Sequence, residues 1–173
     1  SRRLTTSMVD SPIPANLQEL RVESLCRIDT KSRISLPEAL HPVVQSWSGT
    51  CRVVKERPGA ISLWPPDSTD TNIDAAVTAA MAKYNARGNQ NLLDELMTLG
   101  RLRSTRETTA KLDGRARLTI PQAFREFLGV EPEGNAMVVA ATVCIEVWRP
   151  EAWMEFVNER IADYRRITES LLE

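Results

Sequence analysis

Histidine occurs once, as His41, and cysteine three times, as Cys26, Cys51 and Cys144, without any CxxC spacing. A single imidazole leaves little material for a zinc site or for Ser-His and Cys-His nucleophilic catalysis. Three dispersed thiols argue for reduced cysteines inside a cell rather than a disulfide framework. Each sits in hydrophobic company, as a small core side chain does. No apolar run is long enough for a membrane span or a signal-peptide core. The chain also lacks a phosphate-cradling glycine loop and metal-ligand spacing. Catalytic residues, metal, cofactor, membrane and small-molecule substrate are therefore not expected. Nor is there an excess of either charge: 22 Lys and Arg against 23 Asp and Glu leave −1. Bulk electrostatics imply no partner. The distribution says more: residues 101–117 hold six basic and two acidic side chains, residues 150–173 three basic and six acidic. That asymmetry fits a basic face and an acidic helix elsewhere, and equally fits solvated surfaces.

What the 173 residues do contain is a repeat. RIDTKSRISLPEAL, from Arg27 to Leu40, returns as KLDGRARLTIPQAF, from Lys111 to Phe124, 84 residues later. The same offset, taken without a gap, matches Ile61 with Ile145, Trp64 with Trp148 and Pro66 with Pro150. Eight of 43 positions are identical between 25–67 and 109–151, and they cluster. This is an internal duplication.

Each unit reads as strand, turn, strand, short helix, hairpin. Leu25–Ile28 and Thr109–Leu112 are candidate first strands. Arg33–Leu36 and Arg117–Ile120 alternate polar and apolar residues with period two. Pro37 and Pro121 fit the first turn of a short helix, which Pro42 would strain or shorten in the first unit. Cys51–Lys55 with Ala60–Trp64, and Ala136–Ala140 with Cys144–Trp148, read as hairpins. A unit this small cannot bury both faces of its strands, so two copies are expected to pack together about a pseudo-twofold axis. The organisation expected is an arm over 1–24, flexible for want of any periodic apolar pattern, units at 25–67 and 109–151, a helical linker at 68–108 and a C-terminal helix at 152–173. The linker carries helical stripes through Ile73, Val77, Met81 and Tyr84, then Leu92, Leu96 and Leu99. Some of that apolar face is expected at a subunit interface.

Both turns keep Asp-x-x-x-Arg before a strand and a proline: Asp29, Arg33 and Pro37, then Asp113, Arg117 and Pro121. Lys31 and Arg115 lie within the turns. An Asp at a strand end can accept backbone N–H bonds and set a turn. Arginine can read guanine O6 and N7 with two bonds, and a lysine suits phosphate. The same residues also fit a structural Asp–Arg pair that only fixes the turn.

With IEVWRPEAW at the end of the second unit, these two turns resemble the paired SpoVT-AbrB-type units of the MraZ family, bacterial regulators of the division and cell wall gene cluster. The resemblance covers roughly Leu25 to Tyr164. It implies an α+β fold: a duplicated AbrB-like swapped-hairpin β-barrel with linking and C-terminal helices. It further implies ring-shaped homo-oligomers in the cytoplasm, associated with the nucleoid, that bind double-stranded DNA at tandem promoter repeats and regulate transcription. The DNA-contacting turn carries over onto Asp29, Lys31 and Arg33, and onto Asp113, Arg115 and Arg117. The family usually has Gly before the motif Arg; Ser32 and Ala116 stand there in this chain. An AbrB-like antitoxin and a ring that has lost DNA binding are the alternatives.

Overall fold

A computed structural model describes residues 15–173. Of the expected arm, residues 1–14 lie outside the described residues. Residues 15–24 depart from the expectation. Helix α1 (Ala15–Glu19) sets Leu17 into the core, 1% exposed, and strand β1 (Glu23–Arg27) has begun before residue 24. Leu20 and Val22 pack against the same core. Five helical residues are too few to carry a visible period, which is why the sequence hid this anchor.

The chain continues through β2 (Arg33–Ser35), a 3₁₀ turn (Glu38–Leu40) running into α2 (His41–Gln45), β3 (Thr50–Arg57) and β4 (Ala60–Trp64). Helices α3 (Thr71–Arg87) and α4 (Gln90–Arg106) come next. The second unit supplies β5 (Glu107–Lys111), β6 (Arg117–Thr119), α5 (Gln122–Leu128), β7 (Asn135–Ala140) and β8 (Ile145–Trp148). Helix α6 (Pro150–Arg160), a 3₁₀ turn (Ile161–Asp163) and α7 (Tyr164–Leu172) close it.

The fold is α+β with antiparallel sheets. A six-stranded sheet runs β1-β7-β8-β4-β3-β5, and β2 pairs with β6 as a separate two-stranded ribbon. Single bridges, Ile28 to Ile34 and Leu112 to Leu118, lead from the sheet toward the ribbon. The hydrogen-bonded ladders thus form an open sheet and a ribbon rather than a closed barrel.

The sheet order is unchanged when the two units are exchanged. The first strand of each unit pairs with the other unit's hairpin: β1 with β7, β5 with β3. The dyad passes where equivalent residues face each other, Ser62 opposite Glu146 in the sheet and Ile34 opposite Leu118 in the ribbon. Ile34 and Leu118 are fully buried and join Ile28, Leu112, Leu40 and Phe124 in one core shared by both units. Neither unit closes this core alone.

The offset is not gapless. Ile28 N–H donates to Gly134 C=O (2.8 Å) where Leu112 N–H donates to Gly49 C=O (2.9 Å), so Gly49 is equivalent to Gly134 at an offset of 85. Ser48 and Glu133, both at positive φ, keep that offset. Val53 and Val54 then match Val138 and Val139, two identities where the fixed offset shows one, Val54 with Val138. The first unit is one residue shorter before β3 and regains it in its hairpin, where the register shifts between Lys55 and Arg57. A bulge absorbs such an extra residue locally without turning the rest of the strand over.

Pro37 and Pro121 sit at N-cap positions with ψ 146° and 144°, one step before the first helical turn where they were expected. The first unit's helix is broken where the second's is continuous: three 3₁₀ residues lead into a five-residue α-helix with Pro42 in its first turn, against seven continuous α-helical residues. Without an N–H, Pro42 is suited to the start of a helix and not to its interior, so α2 begins afresh there. In the linker, Asp70 caps α3, accepting from Ile73 N–H at 3.2 Å, and Gly88 ends it at φ 64°. An L residue other than Gly pays for that conformation, so the stop is written in the sequence. Neither α3 nor α4 has a fully buried residue. Arg103 joins α4 to Asp74 of α3 (2.7 Å), and Arg52 reaches Glu107 at 2.6 Å.

Candidate nucleic-acid interface

In the first turn the Asp29 carboxylate accepts three bonds. Lys31 N–H and Arg33 N–H both donate to Oδ1 at 2.9 Å, and Arg33 Nε donates to Oδ2 at 2.8 Å. The second turn repeats the set on Asp113: Arg115 N–H at 2.9 Å, Arg117 N–H at 3.0 Å and Arg117 Nε at 2.6 Å. The backbone N–H of Arg33 is the leading cause that holds the Asp29 carboxyl below its usual range, with its guanidinium and Lys31 N–H adding and partial desolvation opposing. Asp113 is lowered first by Arg117 N–H and then by Arg115 N–H and the Arg117 guanidinium, again against desolvation. Each turn is closed by the N–H of its fourth residue: Ser32 donates to Asp29 C=O (3.0 Å), and Ala116 to Asp113 C=O (3.1 Å).

Those two closing residues are left-handed, Ser32 at φ 60° and Ala116 at φ 56°. This is where glycine is easiest. The turn is held there by the carboxylate bonds and by the other unit: Ile120 N–H donates to Ser32 C=O (2.9 Å) and Leu36 N–H to Ala116 C=O (3.0 Å). The geometry that the missing glycines would ease is therefore present.

The structural pairing and an outward reach coexist in one arginine. Nε is bound to the carboxylate, while the two terminal nitrogens of Arg33 and of Arg117 make no hydrogen bond among the described residues. Each arginine side chain is 30% exposed. Lys31 and Arg115 are exposed, with no carboxylate partner for either among the described residues.

The ribbon brings the turns together. Arg33 lies opposite Thr119 and Ser35 opposite Arg117, on either side of the buried Ile34–Leu118 pair. Alternation puts Arg33, Ser35, Arg117 and Thr119 on the outer face. The two arginines are two residues apart along the ribbon, about 7 Å at strand rise. Ser35 and Thr119 are exposed, and their hydroxyls have no bond among the described residues. The six residues named from the sequence lie in these two matching turns; Ser35 and Thr119 could not be named with them, because only the cross-unit register sets each beside an arginine.

Nucleophilic chemistry has little support. Burial pushes the Cys51 thiol up to about 12, and raises Cys26 and Cys144 as well, the last with help from Glu146 and Glu56. His41 Nε2 is engaged with Leu36 C=O at 2.9 Å. Among the described residues no cluster of His, Cys, Asp and Glu could hold a metal ion, and no helix is long and apolar enough to cross a membrane.

Two comparisons with known proteins agree with one another. The family model described as "MraZ protein, putative antitoxin-like" matches residues 105–172, which take in the second unit, its turn, α6 and α7. A curated relative named "Transcriptional regulator MraZ", from Saccharopolyspora erythraea, is 23% identical over 146 residues. The match covers 84% of this chain and 92% of the relative.

Proposed function

We propose that the chain, which the MraZ family model matches over residues 105–172, is a transcriptional regulator of that family, not an enzyme, and that it binds double-stranded DNA sequence-specifically. The observation that carries this reading is the duplicated turn: two arginines on one ribbon face, each fixed through Nε and free at its far end. A two-stranded ribbon fits the major groove, and a guanidinium fixed at one edge is oriented for guanine O6 and N7 without loss of rotamer freedom on binding. Arg33 and Arg117 read bases, Lys31 and Arg115 take phosphates, and Asp29 and Asp113 hold the turns.

We further propose the AbrB-like arrangement in full, with the bridges beside Ile28 and Leu112 joining sheet and ribbon into a barrel. Several protomers in a ring then engage tandem promoter repeats in the cytoplasm, at the nucleoid. Exposed Met81, Met97, Leu102, Ile161, Tyr164 and Leu171 supply apolar surface for that assembly. Tethering raises the effective concentration for each successive contact, so a near-neutral protomer needs no strong site of its own. The matched family's antitoxin-like character supports a second reading, in which α7 offers the exposed Tyr164 and Leu171 to a protein toxin.

The test pairs melting with DNA titration on Arg33→Ala and Arg117→Ala. Loss of one bidentate guanine contact costs about 1–3 kcal/mol at each engaged site. The expected result is binding lost with the fold intact. Variants that melt earlier yet bind DNA like the parent once folded would leave only a structural pair. Lys31→Ala should weaken all sequences alike and reduce the salt slope by about one unit.

A further inference from the structure

A ribbon with full twofold symmetry would bind any DNA site equally well in both directions. The ribbon's outer face is close to that symmetry but departs from it at one exchange. Thr119 stands beside Arg33, while Ser35 stands beside Arg117. The exchange of Lys31 for Arg115 keeps a cation for phosphate. The exchange of Ser35 for Thr119 adds a methyl group to one half only.

We infer that Thr119 and Ser35 are specificity-determining residues of the DNA site, and that the Thr119 methyl sets the direction in which the ribbon reads. This rests on the DNA-binding reading above. Directly opposed residues of an antiparallel pair have Cβ atoms about 5 Å apart, so Thr119 flanks whatever Arg33 contacts. The chemistry available to an exposed Thr in the major groove is a hydroxyl bond to a base edge and apolar contact with the C5-methyl of thymine. Ser35 offers only the first. The Arg33 half therefore reads a guanine with a thymine as neighbour, and the Arg117 half reads a guanine without that demand. Both hydroxyls are exposed and uncommitted among the described residues, and neither side chain takes part in the turn bonds. In tandem repeats, such polarity would point every protomer the same way.

The experiment uses the full chain and duplexes that it recovers from a randomised pool. Each thymine of the recovered site is replaced in turn by uracil, which removes only the C5-methyl. At one thymine the parent protein should bind about fourfold more weakly, the effect of one buried methyl. Thr119→Ser should show no loss at that uracil, Thr119→Val should keep the loss, and Ser35→Thr should gain a second sensitive thymine in the mirror half. Melting of each variant checks the fold. Equal loss on uracil for parent and Thr119→Ser, or no loss at any thymine, overturns the inference. If Arg33→Ala abolishes binding while uracil does nothing, this inference alone falls. If Arg33→Ala binds like the parent, the DNA-binding reading falls and takes this one with it.

Discussion

Trp64 and Trp148 end equivalent strands but keep different company. Trp64 packs on Val54 and Cys144; Trp148 packs on Val139 and Ala60, which are the same two positions seen across the dyad. Both indoles donate to the residue two before them, Ser62 Oγ at 2.8 Å and Glu146 Oε1 at 3.2 Å. Above that shared floor the units diverge. Over Trp148 lie Trp153 and Phe156 of α6, with ring centroids 5.3 and 5.2 Å away, and the Arg57 guanidinium at 5.4 Å. Among the described residues, the cluster around Trp64 adds Ala141 and Val143. The cause is the path of the chain beyond each proline. Helix α6 starts at Pro150 and lies against the first unit's hairpin, so closely that a Cβ on Gly59 would come within 2.8 Å of the Ala152 Cβ. After Pro66 the chain makes a turn, with Ser68 Oγ donating to Pro65 C=O, before α3 begins. Duplication has preserved the dyad and the two turns, where the units need each other. It has let the ends differ, where each faces something else.

That difference can be broken at the tryptophans. Trp64→Ala and Trp148→Ala should each cost about 3–5 kcal/mol in a denaturant titration. Trp148→Ala should exceed its counterpart by about 0.5–1.5 kcal/mol, the worth of its aromatic neighbours. It should also free α6, which amide exchange over residues 150–160 would register. Equal costs and an undisturbed α6 would mean that the aromatic cover contributes nothing.

The comparison also sorts what the sequence could disclose. The repeat, both turns and the stop at Gly88 depend on local chemistry, so residue types reveal them, and they place both prolines to within one residue. The DNA-contacting roles expected of Asp29, Lys31, Arg33, Asp113, Arg115 and Arg117 come from the resemblance alone, since spacing left them open. What stayed hidden depends on distant partners. The extra residue in the first hairpin shows only through its register with β4 and β5, because the valine run at 53–54 fits either offset. Leu17 reaches the core from a helix too short for a period. Ser35 and Thr119 are ordinary strand residues until the other unit's arginine is set beside them.

A smaller effect separates the two turns. A left-handed residue other than Gly costs about 1–2 kcal/mol. Ser32→Gly should relieve that cost, offset by about 0.4–1 kcal/mol of added freedom in the unfolded chain. A net gain of about 1 kcal/mol is expected. Ala116→Gly starts from the same φ but loses a methyl that is 4% exposed, about 0.8 kcal/mol of burial. It should come out near zero. Thermal melts of the two variants side by side decide this, and a larger gain at Ala116 would contradict it.

The last comparison is in pH, where the dyad and the turns should show opposite signs. Glu146 faces Ser62 across the axis, so only one of these two equivalent positions carries a carboxyl. Its carboxyl is raised, first by burial and further by Glu56, against the Trp148 N–H and Arg57. A raised folded value means a contribution that is present below the unfolded value of about 4.3 and lost as pH rises through the folded one. At neutral pH the buried charge is a net cost. Glu146→Gln keeps an acceptor for Trp148 Nε1 and removes that cost, so its urea midpoint should draw ahead of the parent's as pH rises from about 4. Asp29 and Asp113 are lowered instead, mainly by backbone N–H groups. Their contribution is present above about 3.9 and lost as pH falls through the lower folded values. Asp29→Asn and Asp113→Asn should each flatten the acid limb of the profile, by matching amounts, because the two carboxylates accept the same three bonds. With both carboxylates open to solvent over more than a third of their side-chain surface, the effect of each is small. An acid limb that survives both substitutions would assign acid sensitivity to other carboxylates, and unequal changes would show that the two turns are not energetic equivalents.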